Sequence, residues 1–454
     1  MGSGVFEKLT PLPHQLVMRD YLIDNDGGLL FCEMRTGKTF GAILYLLWLE
    51  YTPILIMAPC NAIQNWYNWL ISQGFPEDSV SIATGTRPKR LKELDKRNPI
   101  LICNYEMSIK YKIKRHMPWE VIIFDESFKM ANESASVTQY WLRGGKPDDQ
   151  VRIGLTGDPA PETPLNLVTQ YMIIKGDFMG YTSYPKYYKD NWRKCDFSGR
   201  NIPLSIVHED KMREYVSKTA HCVTMESLGL GSETLYNITT FEMNAKQKKW
   251  MKKVMSLRKE AKMFKGINPV ENPYSMKARA MERAVAAGID PETHEIIDTK
   301  KIDFIVEHYL ETKEPIVVLS TFKAPLYGMA EALKAKGIDY ALIHGTSGSP
   351  KEKDDLEKAF LRGEFPFMIG QTDAVMMNYN FSVSSVTFYL NNGYKRNPRS
   401  QSEKRTTNVN KKTPVEIHDM CYLESMDKDV VKVLKSKGDV SYSFIDKKLD
   451  EMCG

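Results

Sequence analysis

Read from its N-terminus, the chain alternates short, almost uninterrupted apolar runs with longer segments whose apolar residues recur at helical spacing. Residues 28–31 (Gly-Leu-Leu-Phe) predict a strand, followed by the turn Gly37-Lys38-Thr39 and a helix over 40–51. Four more apolar runs, 53–58, 100–103, 121–124 and 152–155, predict further strands. Strands that lack an in–out alternation are those covered on both faces, and strands alternating with helices pair in parallel. The pattern predicts an α/β domain built on a parallel sheet. It breaks at about 175–235, a stretch rich in Tyr, Lys and Gly with no clean period. A charged, Met-containing helical segment follows from 244 to about 283, and its Met residues between 251 and 263 are expected on an amphipathic face. A second alternating region opens at 316–319 and continues through 340–343, 367–369 and 386–390. Two α/β units joined by a helical segment is the organisation this predicts.

Composition adds bounds. A chain of 454 residues has room for two or three domains, each with its own core. Its longest apolar run, 42–49, falls far short of the roughly 18 residues a membrane helix needs. The first four residues, Met-Gly-Ser-Gly, carry neither a basic region nor an apolar signal core. Seven scattered cysteines without a CxxC pair argue against a zinc site or a disulfide framework and for a reducing compartment, hence a cytoplasmic location. The net charge of +5 is mild. It is unevenly spread: Lys395, Arg396, Arg399, Lys404, Arg405, Lys411 and Lys412 stand against the single acid Glu403. Such a block is either a solvated face or a phosphate footprint.

Chemistry gathers at two strand ends. Gly37-Lys38-Thr39 lies between a strand and a helix, where backbone N–H groups can cradle phosphate. Lys38 can reach the β/γ phosphates, and the Thr39 hydroxyl can hold Mg²⁺. The tripeptide alone is weak, because Cys32 stands where the usual spacing has a glycine. Asp125-Glu126, closing the strand 121–124, supplies the second half: one carboxylate for Mg²⁺ and a neighbour to orient or deprotonate the attacking water. Together they predict an ATP site. Trp66 and Trp69 could stack on bases, but their helical spacing favours core packing.

The ordered set of motifs resembles superfamily 2 helicases and, within them, the SNF2-like translocases. The segment 31–39, which includes Arg35 and Thr36, resembles the nucleotide-binding motif, and Gln15 the upstream glutamine that reads adenine. Ala58-Pro59, followed by Asn65-Trp66, resembles the motif after the second strand that touches the nucleic-acid backbone, and Asp125-Glu126-Ser127-Phe128 stands at the DExH box. Leu155-Thr156-Gly157-Asp158-Pro159 is close to the Leu-Thr-Gly-Thr-Pro coupling motif. In the second half the segment 317–322, with Thr321, resembles that lobe's first motif, followed by His344-Gly345-Thr346 and Gln371-Thr372-Asp373. Gln401-Ser402-Glu403-Lys404-Arg405 resembles the arginine motif.

The resemblance implies two RecA-like parallel-sheet lobes: lobe one over 1–240, a helical insertion over 241–300 and lobe two over 301–454. It implies ATP and Mg²⁺ as cofactors, with catalysis by Lys38, Asp125, Glu126 and Arg405 and metal binding by Thr39 and Asp125. Nucleotide contacts fall on Gln15, Arg35, Thr36, Gly37, Lys38, Thr39 and Gln401, and nucleic-acid contacts on Asn65, Trp66, Thr156, Thr321, Lys395, Arg396 and Arg399. The partner implied is DNA (forked, branched or duplex), with the chain monomeric on it and no membrane. The small size resembles phage- or virus-encoded helicases of replication and recombination. Departures matter: Val375, Met376 and Asn378 replace glycines of the fifth motif, and Asn408 stands where a second arginine is expected. That arginine faces the γ-phosphate in the family, and its loss favours a rival reading, a DNA clamp that binds ATP but scarcely hydrolyses it. An RNA helicase is disfavoured by Asn65-Trp66 and Leu155-Thr156-Gly157.

Overall fold

The computed structural model describes residues 10–49, 53–60, 62–191, 209–263, 273–375, 379–406, 411 and 413–437. Met376, Asn378, Asn408 and Lys412 lie outside them. The chain divides into two compact units, the first over 1–195 and 201–229 with 439–454, the second over 230–438 with 196–200.

The first unit is a seven-stranded parallel sheet. Its strands are β1 (Gly27–Cys32), β2 (Ile54–Met57), β3 (Val80–Ile82), β4 (Ile100–Cys103), β5 (Val121–Asp125), β6 (Val151–Thr156) and β7 (Ala220–Val223). They lie in the order β3-β4-β2-β5-β6-β1-β7. Successive residues of one strand enter opposite cores. Leu29, Phe31, Leu55 and Met57 join the cluster containing Trp141 and Tyr171, while Leu30, Cys32, Ile54 and Ile56 join the one containing Trp66 and Leu46. The five apolar runs predicted as strands are all present, and helices cover both faces. Arg152 is the polar intruder. It is buried in β6 and hydrogen-bonded to Gln150 Oε1 and to the carbonyls of Ile173 and Gly145.

The second unit is a six-stranded parallel sheet. It contains β8 (Thr234–Phe241), β9 (Ile316–Ser320), β10 (Tyr340–Ile343), β11 (Phe367–Gln371), β12 (Val386–Tyr389) and β13 (Val415–Tyr422), in the order β10-β11-β9-β12-β13-β8. A domain boundary at residue 240 is corrected by this pairing. β8 runs beside β13 from Thr234↔Val415 to Phe241↔Tyr422, so the second unit starts at Leu230. Two helices, Ala245–Met263 and Pro273–Ala286, pack along each other as a hairpin between β8 and β9. Lys301, buried at 4% exposure, donates to the carbonyls of Ala286 and Leu390 and pairs with Asp427 at 3.2 Å. Among the described residues no helix is long and apolar enough to cross a membrane, and no disulfide joins the cysteines.

Candidate nucleotide site

In an open parallel sheet, ligands bind outside the carboxyl ends of the strands. β1 ends at Cys32, and the loop that follows enters the helix Lys38–Trp48 through Gly37 at φ +84°. A Cβ on Gly37 would lie 2.0 Å from Gln15 Nε2, so a side-chain amide fills the space over the turn. Gln15 Oε1 accepts from Leu12 N–H, capping its own helix, Pro13–Asp24. The loop is tied on several sides. His14 Nε2 lies 2.7 Å from Thr36 O, Thr36 Oγ1 donates to Glu33 O at 2.7 Å, and Glu33 N–H donates to Val223 O. A Glu33 carboxylate oxygen accepts from Met225 N–H at 2.9 Å. The tripeptide that was weak as sequence therefore sits in a strand–loop–helix turn held by β7 and by the glutamine helix, and Arg35 takes a left-handed φ of +70° within it.

β5 ends at Asp125, which is 6% exposed. Its Oδ2 accepts from Trp66 Nε1 at 2.8 Å, its Oδ1 from the N–H of Glu126 at 3.0 Å, and its backbone carbonyl from Tyr105 Oη at 2.7 Å. Lys38 Nζ stands 3.8 Å from Glu126 Oε1. Burial, then the neighbouring Glu126 charge, push the Asp125 carboxyl up to about 6, against the pull of Lys38 and of the two N–H donors. Lys38, Asp125 and Glu126, far apart in sequence, thus meet at one sheet edge. Each carboxylate oxygen keeps a lone pair after accepting one hydrogen bond, so the donor set still suits a hard cation.

Trp66 is corrected here as a nucleic-acid contact. It is 1% exposed and spends its only donor on Asp125, which leaves no face for a base. Asn65, next to it, is exposed. Thr156 is fully buried at the end of β6, where its Oγ1 accepts from Asp158 N–H at 3.1 Å, so it too offers nothing to a strand of DNA. Gly157 packs against the loop after β1, since a Cβ there would come within 3.0 Å of Met34 N. One link was invisible in the sequence. Ser127 Oγ donates to Gln170 Oε1 at 2.7 Å, and Gln170 Nε2 donates to Pro159 O at 2.8 Å. That chain ties the Asp125-Glu126 turn to the Thr156–Pro159 segment, and its only signal was a lone glutamine in an apolar helix, Leu165–Ile174.

In the second unit, Thr321 is half-buried at the carboxyl end of β9 and donates both its N–H and its hydroxyl to Asn391 Oδ1. Gln371 bridges the Thr321 carbonyl and the N–H of Gly345, and Lys323 Nζ donates to Thr346 Oγ1 at 2.9 Å. Gln401 and Arg405 are buried on and just after the helix Arg396–Glu403. Burial pushes the carboxyl of Glu357 up to about 7, and the nearby Arg405 charge acts against that rise.

Within the basic block, Arg399 is corrected as a phosphate contact. Arg399 is 4% exposed, paired with Glu403 and Asp419 and lying 3.6 Å over the Tyr389 ring. Arg396 stands 3.9 Å from Glu403, and Lys411 Nζ donates to the carbonyls of Ser382, Ser384 and Thr406. Of the three basic residues expected on nucleic acid, Lys395 alone is exposed. Met255, expected on the buried face of its helix, is 51% exposed.

The SNF2-related domain family matches residues 15–277. The chain is 28% identical over 207 residues to the "ATP-dependent DNA helicase DDM1" of Arabidopsis thaliana, a match covering 42% of this chain and 26% of that protein. To the Drosophila melanogaster "SWI/SNF-related matrix-associated actin-dependent regulator of chromatin subfamily A-like protein 1" it is 19% identical over 430 residues, 92% of this chain and 54% of the relative. The chain thus spans about half or less of the length of these relatives. Among solved structures, the Pyrococcus furiosus Hef helicase domain superposes with a TM-score of 0.53 at 12% identity, covering 93% of this chain and 98% of that one. The Sulfolobus solfataricus SWI2/SNF2 ATPase core in complex with dsDNA aligns over 96% and 95% of the two chains at 15% identity, with a TM-score of 0.43.

Proposed function

Because the chain belongs to the SNF2-related domain family, we propose that it is an ATP-driven DNA translocase or helicase, acting on forked or branched DNA in replication or recombination. The observation that supports this most is the meeting of Lys38, Asp125 and Glu126 at the carboxyl edge of one sheet, beside a left-handed glycine turn that opens a helix. Such a turn presents unpaired helix N–H groups to phosphate oxygens, and Lys38 adds a full positive charge. Thr39 and Asp125 are the residues that would hold Mg²⁺, which supplies charge neutralisation on the phosphates. Glu126 is the proposed acceptor of the attacking water's proton, a role supported by Lys38 standing 3.8 Å from its carboxylate. Arg405 is proposed to act on the transferring phosphoryl group.

The test is phosphate release measured with no nucleic acid, duplex DNA, forked DNA and RNA. Lys38→Ala is expected to weaken both nucleotide binding and hydrolysis. Glu126→Gln is expected to keep binding and lose turnover, because only the proton acceptor is removed. Turnover unchanged in both variants would overturn the assignment. Stimulation by forked DNA with ATP-dependent strand displacement supports the fork reading; equal stimulation by linear and forked duplex without strand displacement reduces it to duplex translocation. The clamp reading rests on Asn408 in place of the expected arginine. It predicts tight ATP binding with turnover that rises in Asn408→Arg.

A further inference from the structure

With Arg399 and Lys411 bonded internally, exposed positive charge gathers elsewhere, on the hairpin Ala245–Met263/Pro273–Ala286. These two helices hold eleven lysines and arginines against two glutamates, in a chain whose totals are 62 and 57. The hairpin alone carries more than the whole net positive charge. Its inner face is ordinary packing. Val254, Ala278 and Met281 form a core with Trp250 and Leu257, Gln247 Nε2 donates to Val285 O, Trp250 Nε1 donates to Asp290, and Arg258 pairs with Glu282.

The outer face is different. Lys249, Lys252, Ser256 and Lys259 are all exposed, and their steps of three, four and three residues set them in one stripe roughly 15 Å long. Glu242 stands 3.9 Å from Lys248, and Glu292 pairs with Lys253, but no acid pairs with Lys249, Lys252 or Lys259 among the described residues. A face that serves solubility alone mixes its signs. Helices of the same unit do so: Pro350–Leu361 reads Pro-Lys-Glu-Lys-Asp-Asp-Leu-Glu-Lys, with Lys358 paired to Asp354 at 2.6 Å. The hairpin instead stacks like charges at i and i+4, at 248 and 252 and again at 249 and 253, a spacing that opposes helix formation. A repulsive stripe held on a well-anchored helix complements a polyanion of regular charge, and duplex DNA presents one phosphate per roughly 1.7 Å of axis.

We propose that the outer stripe of this hairpin, through Lys249, Lys252 and Lys259, is a phosphate-contacting surface for duplex DNA separate from the helicase motifs. This rests on the DNA-motor reading above. The experiment is fluorescence anisotropy of the full chain with a short labelled duplex across a salt series, comparing wild type with Lys249→Gln/Lys252→Gln/Lys259→Gln. Each phosphate contact contributes about 0.9 to the slope of log K against log salt, so the triple variant should lose roughly 2 to 3 from that slope. Thermal melting checks its fold; Lys252→Gln alone, expected to lose about 0.9, serves if the triple variant unfolds. A folded variant with the wild-type slope overturns the inference while wild-type binding leaves the motor reading standing. No binding of duplex by wild type overturns both. Loss of polyglutamate binding with unchanged duplex binding would make this a surface for acidic proteins, and the proposal falls.

Discussion

At Gly37 the backbone stands at φ +84° and the amide of Gln15 occupies the space a Cβ would take, 2.0 Å away. Alanine there is strained twice, by a left-handed conformation costing about 1–2 kcal/mol and by the displaced amide. Gly37→Ala is expected to lower stability by at least that amount and to weaken nucleotide binding. Gln15→Ala should relieve part of it, so the double variant in a denaturant titration should cost less than the two singles summed. Asp125 yields a pH dependence. Its carboxyl is raised to about 6 in the folded protein, so between its ordinary value and about 6 the folded state holds a proton that the unfolded chain releases. Stability of the nucleotide-free protein from this group therefore falls as pH rises through that window. On the proposal that Asp125 holds Mg²⁺, metal and proton compete for the same oxygens, and Mg-nucleotide affinity should fall as pH drops below about 6. Trp66→Phe removes a donor to the charged form, and its binding midpoint should move to higher pH; an unmoved midpoint would show that the indole does not hold that charge.

At the scale of elements, buried polar links tie together segments distant in sequence. Ser127, Gln170 and Pro159 form one such link, and Gln170 also donates to Asn166 O at 2.7 Å. Gln170→Leu leaves a buried hydroxyl and two carbonyls without this partner, at a cost of about 1–3 kcal/mol per unsatisfied group. Chemical denaturation of the variant should show a loss of that size, and a neutral result would mean that water replaces the amide. Legibility in the sequence follows the same division. β1, β2, β4, β5 and β6 were readable because strands covered on both faces are continuously apolar. β8 was not, because its edge position leaves Leu235, Tyr236 and Ile238 exposed and fills it with Thr and Asn. β3, at three residues, is too short to carry a period, and in β7 the polar His221 interrupts a four-residue run.

The described residues build two sheets, each carrying its own part of the motif set. In the second, Lys301 gathers Ala286, Leu390 and Asp427 around one buried ammonium, joining the hairpin's end to β12 and to the segment after β13. Lys301→Met leaves Asp427 buried without its cation, which typically costs about 3–5 kcal/mol. Calorimetry should show a transition belonging to the second unit move down in temperature while one belonging to the first stays in place. On the proposed role of Arg405, Arg405→Ala is expected to abolish phosphate release with little change in nucleotide affinity, because a charge used chiefly in the transition state adds little to ground-state binding. A lost affinity of similar size would mean that Arg405 serves the ground state or the packing around Glu357.

The sequence by itself determined the parallel α/β class, the split into two sheet units and the local nucleotide turn, because apolar runs, glycine positions and motif order are all written along the chain. It also carried the pairing of Lys38 with Asp125-Glu126, since strand ends of one parallel sheet share an edge. Only tertiary structure decided which charges are available. Arg399 and Trp66 looked like nucleic-acid contacts in one dimension, but Asp419 and Asp125, 20 and 59 residues away, claim them in three. It likewise decided that β8 belongs with β13, 181 residues on at its first pair, since pairing over that separation is not written in local periodicity. The physical reason is the same in each case. Periodicity reports how much of a segment is buried, whereas ion pairs, register and exposure depend on neighbours that only the closed chain brings near.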